Sequence, residues 1–146
     1  MRIYAIGDVH GHLTELERAH RLIADDRART GDAAAHVVHV GDLCDRGPDT
    51  KGVIDFLLAG EARGEPWVTL KGNHDRLMEY FLGDEPRLDP YMLVGWTWFT
   101  DGVGGIETLT AVRQGGERDQ YRYGGRDQQA THRLPGNQAR TRHRRS

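Results

Sequence analysis

Three short stretches hold residues whose types and spacing could do chemistry together: Gly7-Asp8-Val9-His10-Gly11, Gly41-Asp42-Leu43-Cys44-Asp45-Arg46-Gly47 and Gly72-Asn73-His74-Asp75. Asp8 and His10 sit one residue apart after an apolar run, so in an extended chain both side chains would point the same way and chelate one ion. Asp42 adds two hard oxygens able to bridge two ions, and Asn73 offers a carbonyl oxygen to the second. Carboxylate, imidazole and amide donors in one set suit manganese first, with iron, zinc or cobalt as alternatives, better than magnesium alone. Two such ions, roughly 3.5–4 Å apart, can activate a water for in-line attack on phosphorus. Arg46 presents a donor fork to the phosphoryl oxygens, with Asn73 beside it as a second substrate-binding candidate. His74, oriented by Asp45, is placed to give a proton to a departing alkoxide or phenoxide.

The elements that must position these residues follow from punctuation and periodicity. Arg2 to Ile6 reads as a buried strand stopped by Gly7. From about Leu13, apolar residues recur at Leu16, Ala19 and Leu22-Ile23, with Thr14 and Glu17 in capping-box spacing, so a helix runs to Gly31-Asp32. Ala35 to Val40 is a second strand. Asp49 is a candidate N-cap for a second helix with Val53, Ile54, Leu57 and Leu58 on one face, closed by residues 60–64. Residues 66–70 make a third strand, and after Asp75 a third helix carries Leu77, Met78, Phe81 and Leu82 up to Gly83. The alternation βαβαβα implies right-handed crossovers and a parallel α/β sheet, with all three polar turns opening beyond its carboxyl edge. Tyr91 to Leu109 is aromatic and glycine-rich and reads as packing, with a gate beside the site as the alternative. His20 and His39 read as packed histidines, and His12 as a solvated helix start.

The net charge of -2 hides a division. Residues 113–146 carry nine arginines against Glu117, Asp119 and Asp127, a net of +6, leaving -8 on residues 1–112. Beyond Arg113 the only large aliphatic residue is Leu134, so a domain over residues 1–112 is expected, followed by a basic tail at 113–146 that is expected to be disordered. The single cysteine, Cys44, fits a reducing compartment. No apolar run reaches the ~18 residues of a membrane span, and nothing in the first residues reads as a signal peptide. A cytoplasmic protein with no membrane partner is expected, its oligomeric state open.

The three stretches resemble the N-terminal signatures of the calcineurin-like metallophosphoesterases, nearest to the serine/threonine protein phosphatase branch and its bacterial members. The resemblance runs from about Arg2 to Thr110, including the Trp-rich segment and Gly104-Gly105. It implies a β-sandwich flanked by helices, of which this chain has the N-terminal part, and a dinuclear centre. It also implies Asp8 and His10 on the first metal, Asp42 as bridge, Asn73 on the second metal, Arg46 on phosphate, and His74 with Asp45 as the proton donor pair. Two departures stand out. Asp75 replaces the glutamate usual in the eukaryotic phosphatases and matches bacterial members and diadenosine tetraphosphatases, whereas Asp45 resembles the protein phosphatases. The family also completes its second metal with two later histidines. Only His132 and His143 follow Asp75, neither after an apolar strand, and neither is assigned as a ligand. An altered or truncated domain of weak or absent activity is therefore expected, with a sandwich lacking its second sheet and one sheet face left open.

The functional expectation is a metal-dependent phosphomonoesterase acting on a phosphorylated protein or a small phosphoester. One alternative is a nucleotide hydrolase of the diadenosine tetraphosphatase kind. Another is a non-catalytic module whose arginine-rich tail contacts nucleic acid, disfavoured because only Tyr121 and Tyr123 could stack on bases there. A doubly wound nucleotide binder ranks last, since neither a Gly-x-Gly-x-x-Gly turn nor a Walker lysine motif occurs.

Overall fold

The computed structural model describes residues 2–85 and 87–113. The expected tail, with His132 and His143, lies outside the described residues apart from Arg113. The chain alternates β1 (Ile3–Ile6), α1 (Leu13–Thr30), β2 (His36–His39), α2 (Thr50–Ala62), β3 (Trp67–Thr69) and α3 (Asn73–Leu82). A fourth helix, α4, covers 105–113. The strands form one parallel sheet in the order β1-β2-β3, with Ile6 opposite His39 and His39 opposite Thr69. All three strands therefore end level, and the loops that follow them meet at one edge. Among the described residues this is the sole sheet. Among the described residues its face bearing Ile3, Val68 and the flanking Val40 and Leu70 is exposed.

Local chemistry explains most boundaries. Gly31 ends α1 in the left-handed conformation, and the Asp49 carboxylate accepts the Gly52 N–H at 2.9 Å to start α2, as its sequence position predicts. Two expectations fail. Helix α1 starts at Leu13 with His12 as an N-cap that makes no side-chain bond, so Thr14 already lies inside the first turn and its spacing to Glu17 is not a capping box. Helix α3 begins at Asn73, before rather than after Asp75. Asp75 is the third helical residue, and its Oδ2 accepts the Gly72 N–H at 2.9 Å, satisfying a donor that the helix start would leave bare.

One core cluster joins Val9, Leu16, Val53 and Leu57 beneath the sheet, and a second joins Leu77, Trp98 and Val103 behind α3. The second is tied down by Arg76, which donates to the buried Asp89 carboxylate at 2.6 Å. Burial alone would raise the Asp89 carboxyl, but the Tyr91 N–H and the Arg76 guanidinium outweigh it and hold it below the usual range.

Between α1 and the sheet, His20 and the fully buried His39 face each other, Nε2 to Nε2, at 2.9 Å beside Trp67 and Phe56. One ring must donate and the other accept, so the contact needs at least one neutral ring and is lost when both are protonated. Burial, then His39 and then Arg27, pushes His20 down to about 4, and burial lowers His39 as well. A folded-state pKa below the unfolded value means the unfolded chain takes up the proton first. Stability from this pair should be complete above the unfolded histidine pKa of about 6.5 and fall as pH drops toward about 4. Urea midpoints measured from pH 7.5 to 4.5 should decline for the parent chain and decline less for His20→Leu; parallel curves would remove the pair as the cause.

Candidate active site

The turn between β2 and α2 has little freedom because glycine lets it lie against its neighbour. A Cβ on Gly41 would collide with the Gly72 backbone, and one on Gly72 with Asp42. The loops after β2 and β3 thus touch main chain to main chain, which glycine alone permits. The Asp75 carboxylate then fastens them, its Oδ1 accepting the Leu43 N–H at 2.8 Å and the Cys44 N–H at 3.3 Å. The loop after β1 joins through His10 N–H to the Asp42 carbonyl and Gly11 N–H to the Leu43 carbonyl, both at 2.8 Å.

Within this frame the tautomers can be assigned by elimination. His10 Nδ1 lies 2.8 Å from the Cys44 carbonyl oxygen, which only accepts, so Nδ1 carries the hydrogen and Nε2 the lone pair. His74 Nδ1 lies 2.7 Å from Asp45 Oδ2 and is the donor for the same reason, leaving its Nε2 as the acceptor. The two rings stand edge to face, 4.8 Å apart. Ligand atoms of His10, Asp42 and His74 all fall within 4.8 Å of one another. The His10 imidazole, fixed by a bond through its other nitrogen, and the Asp42 carboxylate fit a first-row divalent ion, with His74 Nε2 facing the same point. The Arg46 guanidinium already places a cation against both lone pairs, with Nη1 2.9 Å from His10 Nε2 and Nη2 3.2 Å from His74 Nε2. Its Nε donates to the Gly102 carbonyl at 3.4 Å.

The remaining candidates are placed less centrally. Asp8 is exposed and its carboxylate is not part of the converging group. The reasoning that paired it with His10 assumed an extended chain, but β1 ends at Ile6 and both residues adopt positive φ, 29° and 43°, so alternation does not apply. Asn73 is the exposed first residue of α3. At that helix start the His74 N–H donates to Asp42 Oδ1 at 3.0 Å, fixing the Asp42 carboxylate from outside its own loop. Cys44 is fully buried, and burial together with Asp45 and Asp75 pushes its thiol far up, so it contributes its carbonyl rather than a thiolate.

Two residues that the sequence reading left without a role complete the site. Trp98 Nε1 donates to both oxygens of Asp45 at 2.9 Å, and Thr108 Oγ1 donates to Oδ1 at 2.8 Å while accepting the Asp45 N–H at 2.8 Å. The Trp-rich segment thus packs through Trp98, as the sequence reading expects, and the same tryptophan also holds Asp45. The only advance signal was the presence of hydrogen-bonding side chains in an aromatic, Gly-Gly stretch.

Residues 1–145 match the family model described as calcineurin-like phosphoesterase. The chain belongs to that family. It is 39% identical over 75 residues to a symmetrical bis(5'-nucleosyl)-tetraphosphatase of Thioalkalivibrio sulfidiphilus, covering 51% of this chain and 25% of the relative. It is 30% identical over 100 residues to serine/threonine-protein phosphatase 1 of Salmonella typhimurium, covering 67% of this chain and 40% of the relative. Serine/threonine-protein phosphatase 2 of Escherichia coli is similar at 30% over 102 residues, with 68% and 40% covered. The chain therefore spans between a quarter and two-fifths of the length of these calcineurin-like phosphoesterase relatives. No described helix is long and apolar enough to cross a membrane.

In this calcineurin-like domain Thr108 serves Asp45 as both donor and acceptor while fully buried. Thr108→Val keeps the shape and removes both bonds, so it should cost about 2–3 kcal/mol in urea unfolding, the range for hydrogen bonds to a charged group. An unchanged midpoint would mean that Asp45 is held without it.

Proposed function

We propose that the chain hydrolyses phosphate monoesters, in the manner of a bacterial serine/threonine protein phosphatase. The observation that carries this reading is the buried Asp45 carboxylate, 2.7 Å from His74 Nδ1 and held by Trp98 and Thr108. A carboxylate so fixed holds the imidazole in one tautomer and steadies it when it is charged, which suits His74 to protonating a poor leaving group such as a serine or threonine alkoxide.

His10 and Asp42 would hold one divalent ion, with Asp8 from the same loop as His10. Asp42 and Asn73 would reach a second. Such ions, manganese foremost, would polarise the phosphoryl oxygens and supply an activated water. Arg46, exposed and pivoting on Gly102, can turn its guanidinium from the two imidazoles to phosphoryl oxygens and hold them as charge builds. The buried Trp98 and Thr108 cover the Asp45 side of His74, so its proton exchanges on the substrate side. Among the described residues Asp42 and Asn73 are the ligands for the second ion, so its binding would be weak and turnover low.

A second reading, hydrolysis of a dinucleoside tetraphosphate, draws on the 39% identity to the tetraphosphatase and on Asp75. Asp75 makes structural bonds to Leu43, Cys44 and Gly72, so it does not separate the two. The test is the leaving-group dependence of His74→Asn. Turnover with manganese should fall roughly 100-fold or more for an alkyl phosphate and much less for an aryl phosphate with a good leaving group, with metal content little changed. A uniform loss across leaving groups, or loss of the metal, would contradict the proton-donor role.

A further inference from the structure

Arg46 lies at one end of a run of three adjacent depressions, the first two beside α4. The first, about 350 Å³, is lined by Arg46, Gly47, Pro48, Ile106, Glu107 and Thr110, among others. It shares Ile106 and Glu107 with the second, about 240 Å³, whose walls include Asp101 and Gly102, the residue whose carbonyl Arg46 touches. The second shares Phe99 with the third, a cleft of about 240 Å³ walled by Leu77, Phe81, Met92, Trp96 and Trp98. Arg46 and Glu107 line the first, Asp101 and Glu107 the second, and the third is mostly apolar and aromatic with Arg87 and Asp89 at its wall.

Asp101 and Glu107 are exposed, line the groove and make no hydrogen bond or ion pair among the described residues. The cations on the groove are at its two ends, and Arg87, at the far one, is stacked over Tyr80 at 4.2 Å. A chain of several phosphates leaving Arg46 along this path would run against two carboxylates. A peptide with a cationic residue next to its phosphoresidue would pair with them, and an apolar side chain beyond could fill a cleft of side-chain size.

Building on the phosphatase reading, we infer that this groove is a specificity subsite for phosphopeptides, with Asp101 and Glu107 selecting a neighbouring arginine or lysine and the Trp96–Phe99 cleft taking an apolar side chain beyond it. Trp98 then has two duties, one face in the cleft and its N–H on Asp45, which places the occupied cleft against the proton donor pair.

The test uses the full chain with manganese and fluorescein-labelled peptides centred on a non-hydrolysable phosphonate analogue of phosphothreonine. Flanks carry arginine and then phenylalanine on both sides, with glutamate replacing arginine in one control and alanine replacing phenylalanine in another. The arginine-phenylalanine peptide should bind at least about fivefold tighter than the glutamate control, the range of one to two exposed ion pairs, and tighter than the alanine control. The exposed double change Asp101→Asn with Glu107→Gln should erase most of the arginine preference and flatten its salt dependence. Equal affinity for the arginine and glutamate peptides, or displacement of the arginine peptide by low concentrations of diadenosine tetraphosphate that the double change does not strengthen, would overturn the inference. Aryl phosphate hydrolysis by the same protein reports the catalytic reading separately. Peptide selectivity without hydrolysis upholds the groove and sinks the phosphatase reading, and hydrolysis without selectivity does the reverse.

Discussion

A fully buried carboxylate is the constraint on which this structure turns. Taking the Asp45 charge out of water costs several kcal/mol unless it is fully hydrogen-bonded. Here Trp98, Thr108 and His74 all donate to it, and its own N–H finds the Thr108 hydroxyl. Those partners come from α3, the aromatic loop and α4, so satisfying one charge locks three later elements onto the loop after β2. Loss of any donor leaves a buried anion short of a partner, which penalises misplacement far more than the bond itself stabilises.

Backbone strain is concentrated in the same place. Among the described residues the non-glycine positions with positive φ are Asp8, His10, Asp42, Asp45 and Arg46, every one a candidate site residue. Each such conformation costs on the order of 1–3 kcal/mol and persists only where the surroundings over-determine it. The surroundings do so through the Asp75 carboxylate on Leu43 and Cys44 and through the main-chain contact of Gly41 with Gly72. Strain and burial together aim Asp42, His10 and Arg46 at one point while keeping the loop from relaxing into an ordinary turn.

What could be read in the sequence was local. Apart from the start of α3 and the unforeseen α4, strand and helix limits fell within a residue or two because Gly7, Gly31, Asp49 and Gly83 punctuate them and the apolar positions repeat with a helical period. The three polar turns were legible because each follows a strand, and parallel topology brings strand ends to one edge. Geometry that depends on φ was not legible: Asp8 and His10 leave the extended region, and residues 73–75 enter α3. Contacts across long separations were equally silent. Trp98 and Thr108 are 53 and 63 residues from Asp45, and no periodicity marks a tryptophan as a donor to a particular carboxylate. His20 and His39 each read as packed side chains, but their facing contact emerges only once α1 lies on the sheet.

The central claim is that the edge of the sheet makes a cation site at which Arg46 stands until a metal ion takes its place. Anomalous diffraction from a crystal grown with manganese tests it directly. The account predicts a manganese peak within coordination reach of His10 Nε2 and the Asp42 carboxylate, with the Arg46 guanidinium swung away from His10. Arg46 still seated on both imidazoles, with manganese bound elsewhere or not at all, would contradict it.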